Sequence, residues 1–180
     1  INTIADPEVV EMNVATIPGI WHEETTKYLI DTCEARGDAL AIIDLKGGFT
    51  PRHESTNSKS DRKGQLGTVL TEIKNRNLNS SYGAAYYPWV KVRDDQSGTI
   101  VTMPPSVVAL GVLANTERAA DVWFAPAGFR RGGLSLGAAG LTVSGVETKL
   151  TSRNRDDLYE VNINPIASFP AEGVVIFGQK

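Results

Sequence analysis

The side chains best suited to chemistry in this 180-residue sequence are two histidines, one cysteine and a few acids near the ends of its regular elements. His22-Glu23-Glu24-Thr25-Thr26 begins like the turn of a metalloprotease, which needs a second histidine one helical turn on, and Thr26 stands in that place. His53 lies in a polar stretch beside Glu54, and two lone histidines without cysteine partners do not compose a zinc site. Gly132, Gly133, Gly137 and Gly140 lack the spacing of a phosphate cradle and follow no obvious strand, so they read as loop glycines. No metal or cofactor is expected.

Cys33 falls on an expected core face, where a thiol is inert. Asp44 is the strongest lead for catalysis, because it ends an apolar run and precedes Lys46-Gly47-Gly48, a position where α/β enzymes place metal-binding or catalytic carboxylates. The same acid serves equally as a loop cap or a lysine partner, and no motif supplies a second acid, base or nucleophile. The pairs Asp94-Asp95 and Asp156-Asp157 fit a turn and a helix start, since adjacent side chains diverge.

Periodicity gives the elements that position these residues. Val9 to Val14 is strand-like, and Pro18-Gly19 turns the chain into a helix whose stripe is Thr25, Tyr28, Leu29, Thr32, Cys33 and Arg36, ended by Gly37. Ala39 to Leu45 is a continuous apolar run, predicted as a strand covered on both faces and joined to the first by a parallel crossover. After a surface loop at 46–64, Leu66, Val69, Leu70 and Ile73 restore helical spacing; Tyr82 to Val92 is β-rich and pairs through a turn at 94–98 with Thr99 to Thr102. Pro104-Pro105 opens a helix apolar on nearly all sides, expected to be buried. Asp121 to Pro126 is extended, and 128–149 is glycine-rich without convincing regular structure, a second surface loop. Ser152 to Val161 is helical up to a stop at Asn164-Pro165, and Ile166–Phe169 with Val174–Phe177 form a closing hairpin. The expected fold class is α/β (mixed α+β): one domain over 1–180, a mixed sheet with helices packed on it, one βαβ crossover and antiparallel hairpins.

A net charge of −3 argues against holding nucleic acid by phosphate neutralisation, a single cysteine excludes an internal disulfide framework, and no apolar run reaches the roughly 18 residues of a membrane span. The charge is polarised: residues 1–45 hold nine acids against Lys27 and Arg36, whereas 46–76 hold seven Lys and Arg against Glu54, Asp61 and Glu72.

Ser80-Ser81-Tyr82-Gly83-Ala84-Ala85-Tyr86-Tyr87-Pro88-Trp89-Val90, followed by Met103-Pro104-Pro105-Ser106, Thr116-Glu117-Arg118, Val122-Trp123-Phe124-Ala125-Pro126-Ala127-Gly128 and the closing Leu158-Tyr159, Asn162 to Ile166 and Gly173 to Gly178, resembles the contractile phage tail sheath family. The motifs cover roughly 80–180, and 1–45 is similar more weakly, through Asp6-Pro7-Glu8 and Ile42-Ile43-Asp44. The final strand, Val175-Ile176-Phe177-Gly178, departs from the pattern in carrying Phe177 where Trp often precedes the glycine.

That resemblance implies a non-enzymatic structural subunit, made in the host cytoplasm and resident in the virion tail. It implies stacking in six-fold rings around a tail tube protein, between a baseplate and a tail terminator, and contraction to drive the tube through the host envelope. Neighbours would be other sheath subunits joined through terminal arms that add strands to a sheet. Ile1 and Lys180 lie close to the first and last predicted strands, so the chain is expected to be a fragment without those arms, monomeric in isolation, with no membrane insertion and no direct nucleic acid contact. Arg62, Lys63, Arg130, Arg131, Asp156 and Asp157 are the expected inter-subunit contact charges, against the plainer alternative of a solvated surface. An α/β enzyme using Asp44, and a binding module presenting the 46–64 loop, are the competing readings.

Overall fold

The computed structural model describes residues 1–121, 123–135, 137 and 139–180. Val122, which the extended stretch and one of the motifs include, lies outside the described residues. A short 3-10 turn, Asn2–Ile4, leads to β1 (Val14–Thr16), α1 (Glu23–Arg36), β2 (Leu40–Ile43), α2 (Leu66–Arg76), β3 (Gly83–Tyr87), β4 (Val90–Arg93), β5 (Ile100–Met103), α3 (Pro105–Ala119), β6 (Thr142–Val146), α4 (Ser152–Glu160), β7 (Ile163–Phe169) and β8 (Gly173–Ile176).

The strands form a five-stranded sheet in the order β1-β2-β3-β7-β8 and a three-stranded sheet in the order β5-β4-β6. In the larger sheet β1, β2, β3 and β7 run parallel and β8 returns antiparallel. Two crossovers, through α1 and α2, join its first three strands, one more than the sequence indicated. The period-2 alternation of strand side chains divides the interior into two cores. Ala41, Ile43, Ala85, Tyr87 and Ile163 face Leu29, Ile30 and Cys33 of α1, Val69 of α2 and Leu158 of α4. Ile42, Ala84, Tyr86 and Ile166 point the other way, onto Val108, Ala109 and Val112 of α3 and the inner face of the small sheet.

Several expectations shift in detail. The first strand begins only at Val14, and Val9 is largely exposed. The buried face of α1 is Thr26, Leu29, Ile30, Thr32 and Cys33, so the stripe is rotated from the predicted one and Tyr28 points to solvent. Thr26 can occupy the core because its hydroxyl donates to the carbonyls of His22 and Glu23. Gly37 ends the helix in the left-handed conformation, φ 73°, as its position suggested.

The β-rich segment 82–92 divides at the cis peptide Tyr87-Pro88 into β3 and β4, which belong to different sheets. Helix α3 is buried on one face only, with Leu110 and Ala114 exposed. The last helix ends at Glu160, before Asn164-Pro165, which lie inside β7 instead.

The 128–149 segment, expected as a loop, contains β6, which pairs with β4, and it carries Leu134, wholly buried. Leu134 N–H donates to Val174 O (2.7 Å), Ile176 N–H to Gly132 O and Gly128 N–H to Ile176 O (2.8 Å each), so this segment covers the outer edge of β8. A Cβ on Gly132 would run into the Ile176 carbonyl, which is why this approach needs glycine. The 46–64 loop carries neither helix nor strand. An isolated bridge between Phe49 and Lys63 closes it, and Phe49 packs on Trp89 at 5.2 Å between ring centroids. Among the described residues no helix is long and apolar enough to cross a membrane.

Candidate assembly surface

Asp44 is enclosed, 1% exposed at the end of β2. Its carboxylate accepts the Gly19 N–H (2.7 Å), the Ser106 N–H (3.2 Å) and the Ser106 hydroxyl (2.7 Å). Helix α3 starts behind Pro104, which has no side chain able to cap it, so Asp44 supplies from 62 residues away the acceptor that the free N–H groups of the first turn require. Burial pushes its pKa above the ordinary carboxylate value, against these three donors. A carboxylate enclosed by donors ties the β1–α1 turn, β2 and α3 together. A base or nucleophile needs open space beside it, and Asp44 has none.

The other chemical candidates stay apart. His22 is the residue before α1, with Nδ1 3.3 Å from the Thr25 hydroxyl, while His53 sits exposed beside Glu54. Cys33 is sealed in the helical core and burial raises its thiol pKa. Among the described residues no three His, Cys, Asp or Glu groups converge to hold a metal.

The six contact charges form three separate pairs. Arg62 and Lys63 stand at the closing bridge of the 46–64 loop, where Arg62 Nε donates to Asn57 O. Arg130 and Arg131 follow the aromatic pair Trp123 and Phe124, which stack at 4.3 Å, and the Arg131 guanidinium covers the Phe124 ring at 3.9 Å. Asp156 and Asp157 lie in the middle of α4. No ion pair among the described residues joins any of the six.

Other surface features were not anticipated. Strand β1 is an open edge of the large sheet, and the Thr16 hydroxyl beside it is buried without a partner. Strand β5 is an open edge of the small sheet, where Ile100 is 63% and Val101 47% exposed. Trp123 is 75% exposed at the mouth of a groove of about 380 Å³ that runs along Leu110, Leu113 and Thr116 of α3. Phe129, Phe169 and Phe177 form an aromatic cluster under the Arg155 guanidinium. The available sequence signal was the uncharged, β-branched run Thr99-Ile100-Val101-Thr102, since natural edge strands usually carry charge or proline.

No family model matches the chain. The tail sheath protein of Vibrio phage KVP40 is 24% identical over 196 aligned residues, which take in the whole chain and 28% of that protein. The tail sheath protein of Enterobacteria phage T4 is 27% identical over 106 residues, 59% of the chain and 15% of that protein. Among solved structures, the helical sheath of the anti-feeding prophage in its contracted state superposes with a TM-score of 0.63 at 21% identity, over 98% of the chain and 42% of its own. A chain of the baseplate of the same particle gives 0.65 at 22% identity, over 96% of the chain and 38% of its own.

The chain carries the fold of the contractile tail sheath proteins. It spans under a third of the two sheath relatives it matches. Within this sheath fold, the residues that carry the resemblance are mostly interior ones. Ala84 through Val90 is buried without interruption, and Ser106, Val108, Ala109 and Val112 pack α3 against it. What the sheath motifs preserve is therefore the junction between the two sheets, where the chain leaves β3 for β4. All six contact charges fall outside the motifs, while the motifs do include the exposed Trp123, Tyr159 and Phe177.

Proposed function

We propose that the chain is the core domain of a sheath subunit in a contractile phage or phage-like tail, a structural and non-enzymatic part that works through contacts between copies. The observation that carries this reading is the agreement of sequence and fold over the whole chain: similarity to a phage sheath protein along its full length, and a fold shared with a contracted helical sheath. The surface supports it. Two open strand edges, one of them carrying the exposed Ile100 and Val101, are what a monomer avoids and a lattice component pairs.

In this reading the partners are other sheath subunits in stacked six-fold rings, the tail tube protein inside them, and the baseplate and terminator at the ends. The location is the virion tail after synthesis in host cytoplasm. Arg62, Lys63, Arg130, Arg131, Asp156 and Asp157 remain the proposed contact charges. The domain moves as a rigid body while its neighbours change, so the energy released lies in the difference between two sets of interfaces.

The test is to express the chain with its native flanks and to look for regular tubes or rings by electron microscopy and sedimentation. Only small discrete particles, at every salt and protein concentration tried, would defeat the reading.

A further inference from the structure

The strand order gives the molecule two unlike ends. Because β1, β2, β3 and β7 run parallel, one end gathers the segments that precede these strands and the other those that follow them. At the leading end the first ten residues are fixed in place. The Arg36 side chain, fully shielded from solvent, donates to Ile4 O (2.6 Å) and Val10 O (3.0 Å), and the Tyr28 hydroxyl donates to Asn2 Oδ1 (2.5 Å). These clamps present Asp6, Glu8 and Glu11 on the surface, and among the described residues none of the three joins an ion pair.

At the trailing end the 46–64 loop follows β2. The Phe49–Lys63 bridge and the Thr50 N–H to Arg62 O bond (3.0 Å) hold its base, so that Arg62 and Lys63 wall a hollow of about 250 Å³ together with Phe49, Thr50, Asp61 and Gln65. Asp61 is engaged by the Ser58 hydroxyl (2.7 Å), and Arg52, Lys59 and Lys63 are exposed with no acid paired to them among the described residues.

Opposite charges at opposite ends of one rigid sheet cannot meet within a copy, but they can meet between copies. We propose that the protein docks head to tail on a second copy of itself, the basic loop around Arg62 and Lys63 of one seated on the acidic end carrying Asp6, Glu8 and Glu11 of the next. This deepens the sheath reading and rests on it. The contact joins two different patches, so it is heterologous and leaves a free patch at each end, which is the geometry that propagates. Charges of this exposure set encounter rate and register more than they set affinity, so the contact is sensitive to salt.

Two reversals in the full-length protein test it: R62E/K63E on the loop and D6K/E8K/E11K on the acidic end. Each chain alone, shown to be folded by circular dichroism and thermal melting, should self-associate at a concentration about tenfold or more above that of the wild type. An equimolar mixture should associate like the wild type, because each reversed patch then finds a complementary one.

Raising salt from about 50 mM to about 500 mM should weaken the wild type and the mixture alike. Should D6K/E8K/E11K unfold, the neutral D6N/E8Q/E11Q chain takes its place and must flatten that salt dependence.

Self-association of R62E/K63E at the wild-type concentration, or a mixture no better than its components, overturns the contact, as does a wild type that never self-associates. Small closed oligomers in place of tubes, with rescue on mixing intact, would remove the sheath reading and leave the contact standing.

Discussion

The Asp44 carboxylate holds both the backbone N–H and the hydroxyl of Ser106, binding the end of β2 to the first turn of α3 across 62 residues of sequence. Helix α3 cannot cap itself, since Pro104 and Pro105 occupy its start, and the buried acid does so in their place. The sheet therefore sets where the helix begins.

Asp44→Ala leaves the Gly19 and Ser106 donors buried and unpaired, and is expected to cost about 1–3 kcal/mol in urea unfolding. The pH dependence has a definite sign. The folded-state pKa of Asp44 is raised, so the native state holds the proton more tightly than the unfolded chain. Stability owed to Asp44 is therefore greatest below its unfolded value and falls as pH rises through the raised one. The penalty of Asp44→Ala should accordingly grow as pH is lowered from 7 toward 4. A penalty that shrinks over this range would contradict the assignment.

Leu134 lies in a stretch that reads as loop yet is wholly buried. Leu134→Ala should cost about 2–5 kcal/mol, as for other core leucines, and not the half kilocalorie typical of a surface change. Thermal melting of the two chains side by side decides between these.

Gly132→Ala places a methyl group against the Ile176 carbonyl and should push the covering segment off β8. A loss of about 1–3 kcal/mol is expected. Hydrogen exchange should show faster turnover at the Ile176 amide, whose acceptor is Gly132 O, than at that of Ala85 in β3.

Ile100→Lys on the open β5 edge removes no buried contact, so the isolated chain should keep its stability within about 0.5 kcal/mol. Light scattering should show less aggregation than the wild type, because a charge on an edge strand opposes pairing with another edge.

Much of this architecture was legible in the residues. Gly37 marked the end of α1, the run Ala39 to Leu45 announced a strand covered on both faces, and the runs 166–169 and 174–177 marked the closing hairpin. What was missed depends on partners far along the chain. β6 exists because β4 is beside it, and Leu134 is buried because Val174 accepts its N–H, neither of which leaves a local period. The core face of α1 was misplaced because Thr26 is counted as polar until its hydroxyl is seen bonding its own helix.

Nothing in the sequence beyond expected exposure marks the assembly charges. The sequence could count the acids before residue 45 and the bases after it, but only the parallel direction of β1 and β2 places Asp6, Glu8 and Glu11 at the end opposite the 46–64 loop.

The cover over β8 makes the large sheet one-sided. With Gly132 and Leu134 occupying its far margin, the edge left open in this sheet among the described residues is Val14–Thr16. A strand joining there lengthens the sheet on the β1 side alone, so any growth of this sheet has a single direction.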